Sequence, residues 1–461
     1  MKRFITTLVV LCAWSLAAAA GAEEQQASFD QRMLDVLLEQ GAISQAQYEE
    51  LSREARAEQQ ATEAEATPAA SAAQGANSGW KEYWKEGFRV ESEDGLFEFK
   101  FGGRIQLDAA FVEPENDLDD WAIANGVEDL RGFGAEVRRA RLFTQGNLYE
   151  HGIFASDLAF EGAKVSVKDM WVGLANLPLV GRVRAGHFKE AFGLEELTSS
   201  NFTTFMERAA STEAFTPKRN IGIGFDNSAL NRRMTWAVGG FAEAPDQSGD
   251  RDLSNLSNYN ITARVTGAPL YADDGRELIH LGVAYSHKFM NGEIDFGGRE
   301  VHLAEDFVFT PAIAADGADL LGLEFASVWG PVSVQGEWMS TWVDQAAGPN
   351  LNFMGGYGQV SWFVTGEHRP YQTCRCSFGR IKPERRFAPR KGDWGALELA
   401  ARYSYLDLTD ENIRGGIQSG VTVGANWYLY SNLRFMLNWV HSHRNGVGDQ
   451  DAVQGRLGID F

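Results

Sequence analysis

The chain has 461 residues, 63 Asp and Glu against 42 Lys and Arg, a net charge of −21 and a mean hydropathy of −0.28. That balance gives no basic face for nucleic acid, and beyond the N-terminus no run approaches the roughly 20 apolar residues of a membrane helix. A barrel strand alternates apolar and polar residues and so averages out in hydropathy; 49 Gly, 29 Phe, 13 Trp and 12 Tyr with only 12 Pro favour that class.

In chain order, Lys2 and Arg3 precede a largely apolar stretch from Phe4 to Ala20, then Gly21-Ala22 and the acidic pair Glu23-Glu24. This order predicts a secretory signal peptide over residues 1–22, cut after Ala22. An uncleaved anchor is disfavoured by the short apolar core, and Cys12 lacks the small residues of a lipoprotein site. Cleavage removes Lys2 and Arg3 and leaves a mature charge of −23. Residues 23–60 are expected to form a short helical segment in the periplasm, with a coiled coil as its candidate form. Met33, Leu34, Leu37 and Leu38 recur at helical spacing before Gly41, and Ser44 with Gln47 makes a capping box. Residues 61–79, rich in Ala, Ser, Gln and Gly, are a linker.

From Trp80 to Phe461 the period is two. Phe97, Phe99 and Phe101 alternate with Glu98 and Lys100; Ile105, Leu107, Ala109 and Phe111 alternate with Arg104, Gln106 and Asp108. The same pattern runs through Leu397–Tyr405, Leu433–Trp439 and Val453–Phe461, with Gly, Asp and Asn between strands. One face would meet lipid and the other water. The expected fold is all-β, a transmembrane antiparallel β-barrel of about 16 strands, wide enough for a water channel. A soluble two-sheet protein would also alternate, but the signal peptide, the aromatic abundance and the terminal Phe461 argue against it. Cys374 and Cys376, one residue apart, make a strained disulfide and lack further metal ligands nearby.

Charges on the lipid face are costly, so arginines inside strands should face the lumen. Arg139 and Arg141 share a face, as do Arg182 and Arg184; Arg138 points the other way or sits where its strand bends. A fork of donors that stays charged suits a partly dehydrated anion. The competing reading is that these arginines pair with lumen carboxylates and brace the wall. The acids need not line the path, since many lie in loops such as Glu113 to Asp120.

Several segments resemble the phosphate-selective porin O/P family. They are Gly102-Gly103-Arg104-Ile105-Gln106, Arg138-Arg139-Ala140-Arg141-Leu142, Gly186 to Glu195, Thr198-Ser199-Ser200, Glu207-Arg208, Arg219-Asn220-Ile221-Gly222, Gly395 to Tyr405, Gly424 to Tyr428 and Arg456 to Phe461. The resemblance covers nearly all of the chain from Trp80, in the same order. It implies a 16-stranded, homotrimeric outer-membrane porin with a pore lined by Arg and Lys, needing no cofactor. Its partners would be small anions (phosphate, polyphosphate or chloride), outer-membrane lipid and lipopolysaccharide. The family's anion site carries over to Ser199, Ser200 and Arg208, with Asp169 as neighbouring carboxylate and Arg104 as a further pore arginine. Glu196 stands where phosphate-selective members have Lys, which weakens phosphate binding unless an arginine pairs with it. A general-diffusion porin and an envelope-tethering barrel are the alternatives. An enzyme is not expected, because no G-x-S-x-G or H-E-x-x-H stretch occurs and the eight His are scattered.

Arg369 to Lys391 holds eight basic residues, among them Arg380, Lys382, Arg385 and Arg386, with Glu384 its only acid. Counting strands back from Phe461 puts this stretch on the periplasmic side, where turns are normally short. It is expected to fold back into the lumen as a positive collar.

Overall fold

The protein is described by a computed structural model, in which residues 79–127, 130–163, 165–243 and 258–461 are described. The expected signal peptide, helical segment and most of the linker lie outside them.

The strands are β1 (Trp80–Trp84), β2 (Phe88–Ser92), β3 (Phe97–Pro114), β4 (Gly132–Leu148), β5 (Gly152–Ala159), β6 (Ser166–Leu177), β7 (Gly181–Lys189), β8 (Arg219–Ala229), β9 (Met234–Ala242), β10 (Tyr259–Ala272), β11 (Glu277–Ile294), β12 (Ile313–Trp329), β13 (Val332–Gln345), β14 (Leu351–Phe363), β15 (Tyr371–Gln372), β16 (Ser377–Phe378), β17 (Ala396–Asp410), β18 (Ile413–Tyr430), β19 (Leu433–Arg444) and β20 (Gly448–Asp460). Helix α1 spans Asn116–Ala124, α2 Leu194–Leu197 and α3 Ala210–Phe215. Strands β3 to β14 and β17 to β20 pair antiparallel in sequence order, and β20 pairs back on β3 from Gln450↔Pro114 to Asp460↔Arg104. The result is a closed barrel of 16 strands. Closure leaves no free edge, which strand backbones in hydrocarbon require. The β1–β2 hairpin continues the wall beyond Phe461, with Phe88↔Phe101 pairing where β20 has ended.

The alternation read from the sequence sets the faces. In β19, Phe435, Leu437 and Trp439 point outward and are exposed, while Arg434, Met436, Asn438 and Val440 are buried inside. In β17, Leu399 and Tyr403 are outward, with Glu398, Arg402 and Ser404 inward. Among the described residues no helix is long and apolar enough to cross a membrane, which leaves the crossing to strands.

Three connections fold into the lumen. Residues 190–218, between β7 and β8, bury Phe192, Leu194, Phe205, Met206 and Phe215. Residues 295–312, between β11 and β12, enter from the end opposite Phe461 and pack Val301 and Ala304 on Ala110, Val440 and Ala452. Residues 364–395, between β14 and β17, come from the Phe461 end. Their β15–β16 hairpin packs Tyr371, Cys376 and Phe378 against Leu194 of α2. The inserted segments thus meet inside the barrel, where Phe378 N–H donates to Thr198 Oγ1 at 3.4 Å.

Candidate functional site

The inserted segments are fastened to one side of the barrel by buried polar groups. Gly193, at φ +75°, turns the chain so that the N–H groups of Leu194 and Glu195 both donate to the Glu337 carboxylate on β13, each at 2.7 Å. Arg402 on β17 reaches Glu195 and Glu300, each at 3.5 Å. Arg456 on β20 pairs with Asp108 and Glu207, both at 2.6 Å, and donates to the Met206 carbonyl. From β10, Arg264 pairs with Glu324 at 2.6 Å and donates to the Cys376 carbonyl; His280 Nδ1 lies 2.7 Å from the Tyr371 hydroxyl. Each of these carboxylates has a donor, which the low-dielectric interior demands.

The other side stays open. A cavity of about 1040 Å³ runs along β3 to β9, closed on its far side by Leu197–Phe202 and by parts of residues 367–384. Its lining holds 15 Lys and Arg against 8 Asp and Glu, which reverses the 42 to 63 ratio of the chain. The acids of the chain therefore lie mostly elsewhere, and net charge does not describe the path.

Of the residues singled out in the sequence, Arg104, Arg139, Arg141, Asp169, Arg182, Arg184, Ser199, Ser200, Arg208, Arg380 and Lys382 line this cavity. Arg104 donates to Ser200 Oγ at 3.1 Å and lies 3.6 Å from Asp157. Arg141 pairs with Glu161 at 3.4 Å, Arg182 and Arg184 share Asp226 at 2.9 and 3.3 Å, and Asp169 pairs with Arg219 at 3.0 Å. Arg139, buried, donates to Gln106 at 2.7 Å and has no carboxylate partner among the described residues. The Nε–H groups of Arg104, Arg139, Arg141 and Arg184 are buried without an acceptor among the described residues. A lining of fixed cations is what an anion shedding water needs; the four buried Nε–H groups are not exposed to the cavity and lie behind that surface.

Arg138, Arg385 and Arg386 are not in the lining. Arg138 occupies a β-bulge, where Gln106 pairs with Arg139 and Leu107 with Val137, so its side chain turns inward beside Arg139. There it grips Glu207 with two 3.0 Å hydrogen bonds and fastens the inserted loop. Arg385 and Arg386 are exposed at the rim. Arg380 is tied to Asp460 and to the Ser431 carbonyl, whereas Lys382 reaches Glu86 at 3.5 Å and is otherwise in solvent.

Glu196 lies between Lys189 and Arg208, at 2.6 and 2.9 Å. Burial works to raise its pKa, but Arg208 and Lys189 outweigh it and hold the carboxyl down at about 2. Ser199 and Ser200 follow on the same loop, and Arg208 also donates to the Glu195 and Glu196 carbonyls at 3.3 Å. The sequence reading missed Lys189, Arg219, Arg264 and Arg375, which also line the cavity. Lys189 sits two positions from the inward His187, and that spacing could have found it.

Cys374 is exposed, Cys376 is buried, and neither is bonded to the other. His441 and His443 face outward, paired with Asp451 and Asp449. Among the described residues no group of three His, Cys, Asp or Glu side chains could hold a metal.

A family model for phosphate-selective porin O and P matches residues 99–461. Porin O of Pseudomonas aeruginosa is 25% identical over 423 residues, 82% of this chain and 91% of its own. An uncharacterized protein of Caulobacter vibrioides is 30% identical over 397 residues, 82% of this chain and 76% of its own. Among solved structures, the trimer form of in-vitro folded OmpT, an outer membrane protein of Vibrio cholerae, overlaps with a TM-score of 0.50 at 9% identity. That overlap covers 79% of this chain and 99% of OmpT, and the likeness is one of fold alone.

Proposed function

The chain belongs to the phosphate-selective porin O and P family, a porin of the bacterial outer membrane, and from that premise we propose that it is an anion-selective channel for passive uptake of phosphate or related small anions. The observation that carries this reading is the excess of fixed cationic donors along the cavity. An anion crossing a narrow, low-dielectric passage exchanges water for those donors. The sites that would serve it are Arg104, Arg139 and Arg141 on one wall, Ser199, Ser200 and Arg208 on the inserted loop, Arg182 and Arg184 toward the Phe461 end, and Arg380 and Lys382 as part of a collar. Assembly as a homotrimer belongs to the same reading and is checked by cross-linking in detergent.

One observation favours a second reading, a general-diffusion porin with little preference for phosphate. Glu196 occupies Lys189 and Arg208, two cations of the lining. Reversal potentials in asymmetric KCl and potassium phosphate separate the two. Selectivity for chloride over potassium with strong phosphate block supports the first. Selectivity without block supports the second, and no ohmic steps in a bilayer would overturn both.

A further inference from the structure

The cavity carries aromatic rings as well as charge, and their placement bears on which anions it passes. Three side chains that face it are Phe143 on β4, Trp171 on β6 and Phe202 on the inserted loop, all half-buried. Outward neighbours fix the inward face of Trp171, since Met170 and Val172 are exposed on the lipid side. Each of the three rings lies against a cation of the same cavity. Lys100 Nζ is 5.3 Å from the Phe143 ring centre, the Arg184 guanidinium 5.4 Å from Trp171, and the Arg380 guanidinium 5.2 Å from Phe202.

Ring and cation side by side make a surface of a particular kind. A ring face is electron-rich and gives a hydrated inorganic anion nothing. A planar organic anion uses both parts, laying its apolar body on the ring or the flat guanidinium and turning its carboxylate to the lining cations. The charges suit it as well. Most cations here share a carboxylate, as Arg182 and Arg184 share Asp226 and Arg104 neighbours Asp157, so the local field is moderated toward a single negative charge. At about 1040 Å³ the cavity is also of the size that holds drug-sized organic molecules.

We infer that the pore favours aryl carboxylates, planar organic anions of single charge, over aliphatic carboxylates of smaller size. The inference rests on the anion-channel reading and narrows its substrate class.

The test compares benzoate with acetate, which share a carboxylate and differ by the ring. A pore that only sieves by size passes the smaller acetate faster. Bi-ionic reversal potentials against chloride in planar bilayers should instead give a benzoate-to-acetate permeability ratio of one or more. Trp171→Leu and, separately, Phe202→Leu keep apolar bulk and remove the ring. Each should lower that ratio by about twofold, the low end for one aromatic contact. A parent ratio well below one overturns the inference without any variant. A ratio above one that neither variant moves overturns the assignment to these rings. If potassium passes as readily as chloride, the anion-channel reading itself has failed; if chloride is preferred but acetate outruns benzoate, only this inference has.

Discussion

The two halves of the barrel wall use the same residue types for opposite ends. On the packed half, β10 to β14 and β17 to β20, Arg264, Arg402 and Arg456 are each matched to a carboxylate and a carbonyl. Arg264 holds Glu324 and the Cys376 carbonyl; Arg456 holds Asp108, Glu207 and the Met206 carbonyl. On the open half, β3 to β9, Arg104, Arg139, Arg141 and Arg184 are matched to one acid or none, and each keeps an Nε–H without an acceptor among the described residues, as only Arg402 of the other three does. Saturation makes a guanidinium a fastener, and incomplete pairing leaves it available to a mobile anion. Counting arginines in such a lumen says little until their partners are known.

The largest effect is expected from breaking the packed half. Arg456→Ala leaves Asp108 buried without its cation and takes one of two arginines from Glu207, which costs about 3–5 kcal/mol. Heat resistance of the folded barrel on unheated gels should fall clearly below that of the parent. A variant as resistant as the parent would erase the distinction between the halves.

On the open half, Arg139→Gln removes a cation that holds no carboxylate, so it orphans no acid. One charge at pore distances contributes about 1 kcal/mol, and the chloride-to-potassium permeability ratio should fall about fivefold with the barrel intact. A stability loss with unchanged selectivity would move Arg139 to the fasteners.

Glu196→Gln sharpens the contrast in the other direction. It releases Lys189 and Arg208 from their shared acid and should raise phosphate block of chloride current severalfold; Glu196→Lys should raise it further. Unchanged block would show that this pair is not near the anion path.

Smaller effects are expected at the collar. Lys382→Gln should lower anion selectivity mainly below about 0.1 M salt, where screening is weak. Arg385→Gln with Arg386→Gln should change it less than Lys382→Gln alone, because neither residue lines the cavity.

Much of the fold was legible because alternation is a local property. Phe435-Met436-Leu437-Asn438-Trp439 reveals its two faces without any knowledge of its neighbours, and strand parity from Phe461 put residues 369–391 at the correct end. The short strands β5, β7 and β9, of 8, 9 and 9 residues, show the pattern less plainly. At the candidate site, the cost of charge in lipid was enough to turn Arg104, Arg139, Arg141, Arg182 and Arg184 inward.

What each arginine does there was beyond the sequence. Arg104 meets Ser200 across 96 positions, and Arg456 meets Asp108 across 348. Whether Arg138 fastens or lines turned on a one-residue bulge in β4, and whether Glu196 opposes anions or is itself neutralised turned on Lys189 and Arg208 closing around it. By itself the sequence determined a closed barrel of alternating strands with cationic side chains inside, because hydrocarbon on one face and water on the other act on every residue where it stands. Only the tertiary structure decided which cations stay free, because pairing depends on where three distant segments come to rest inside the lumen.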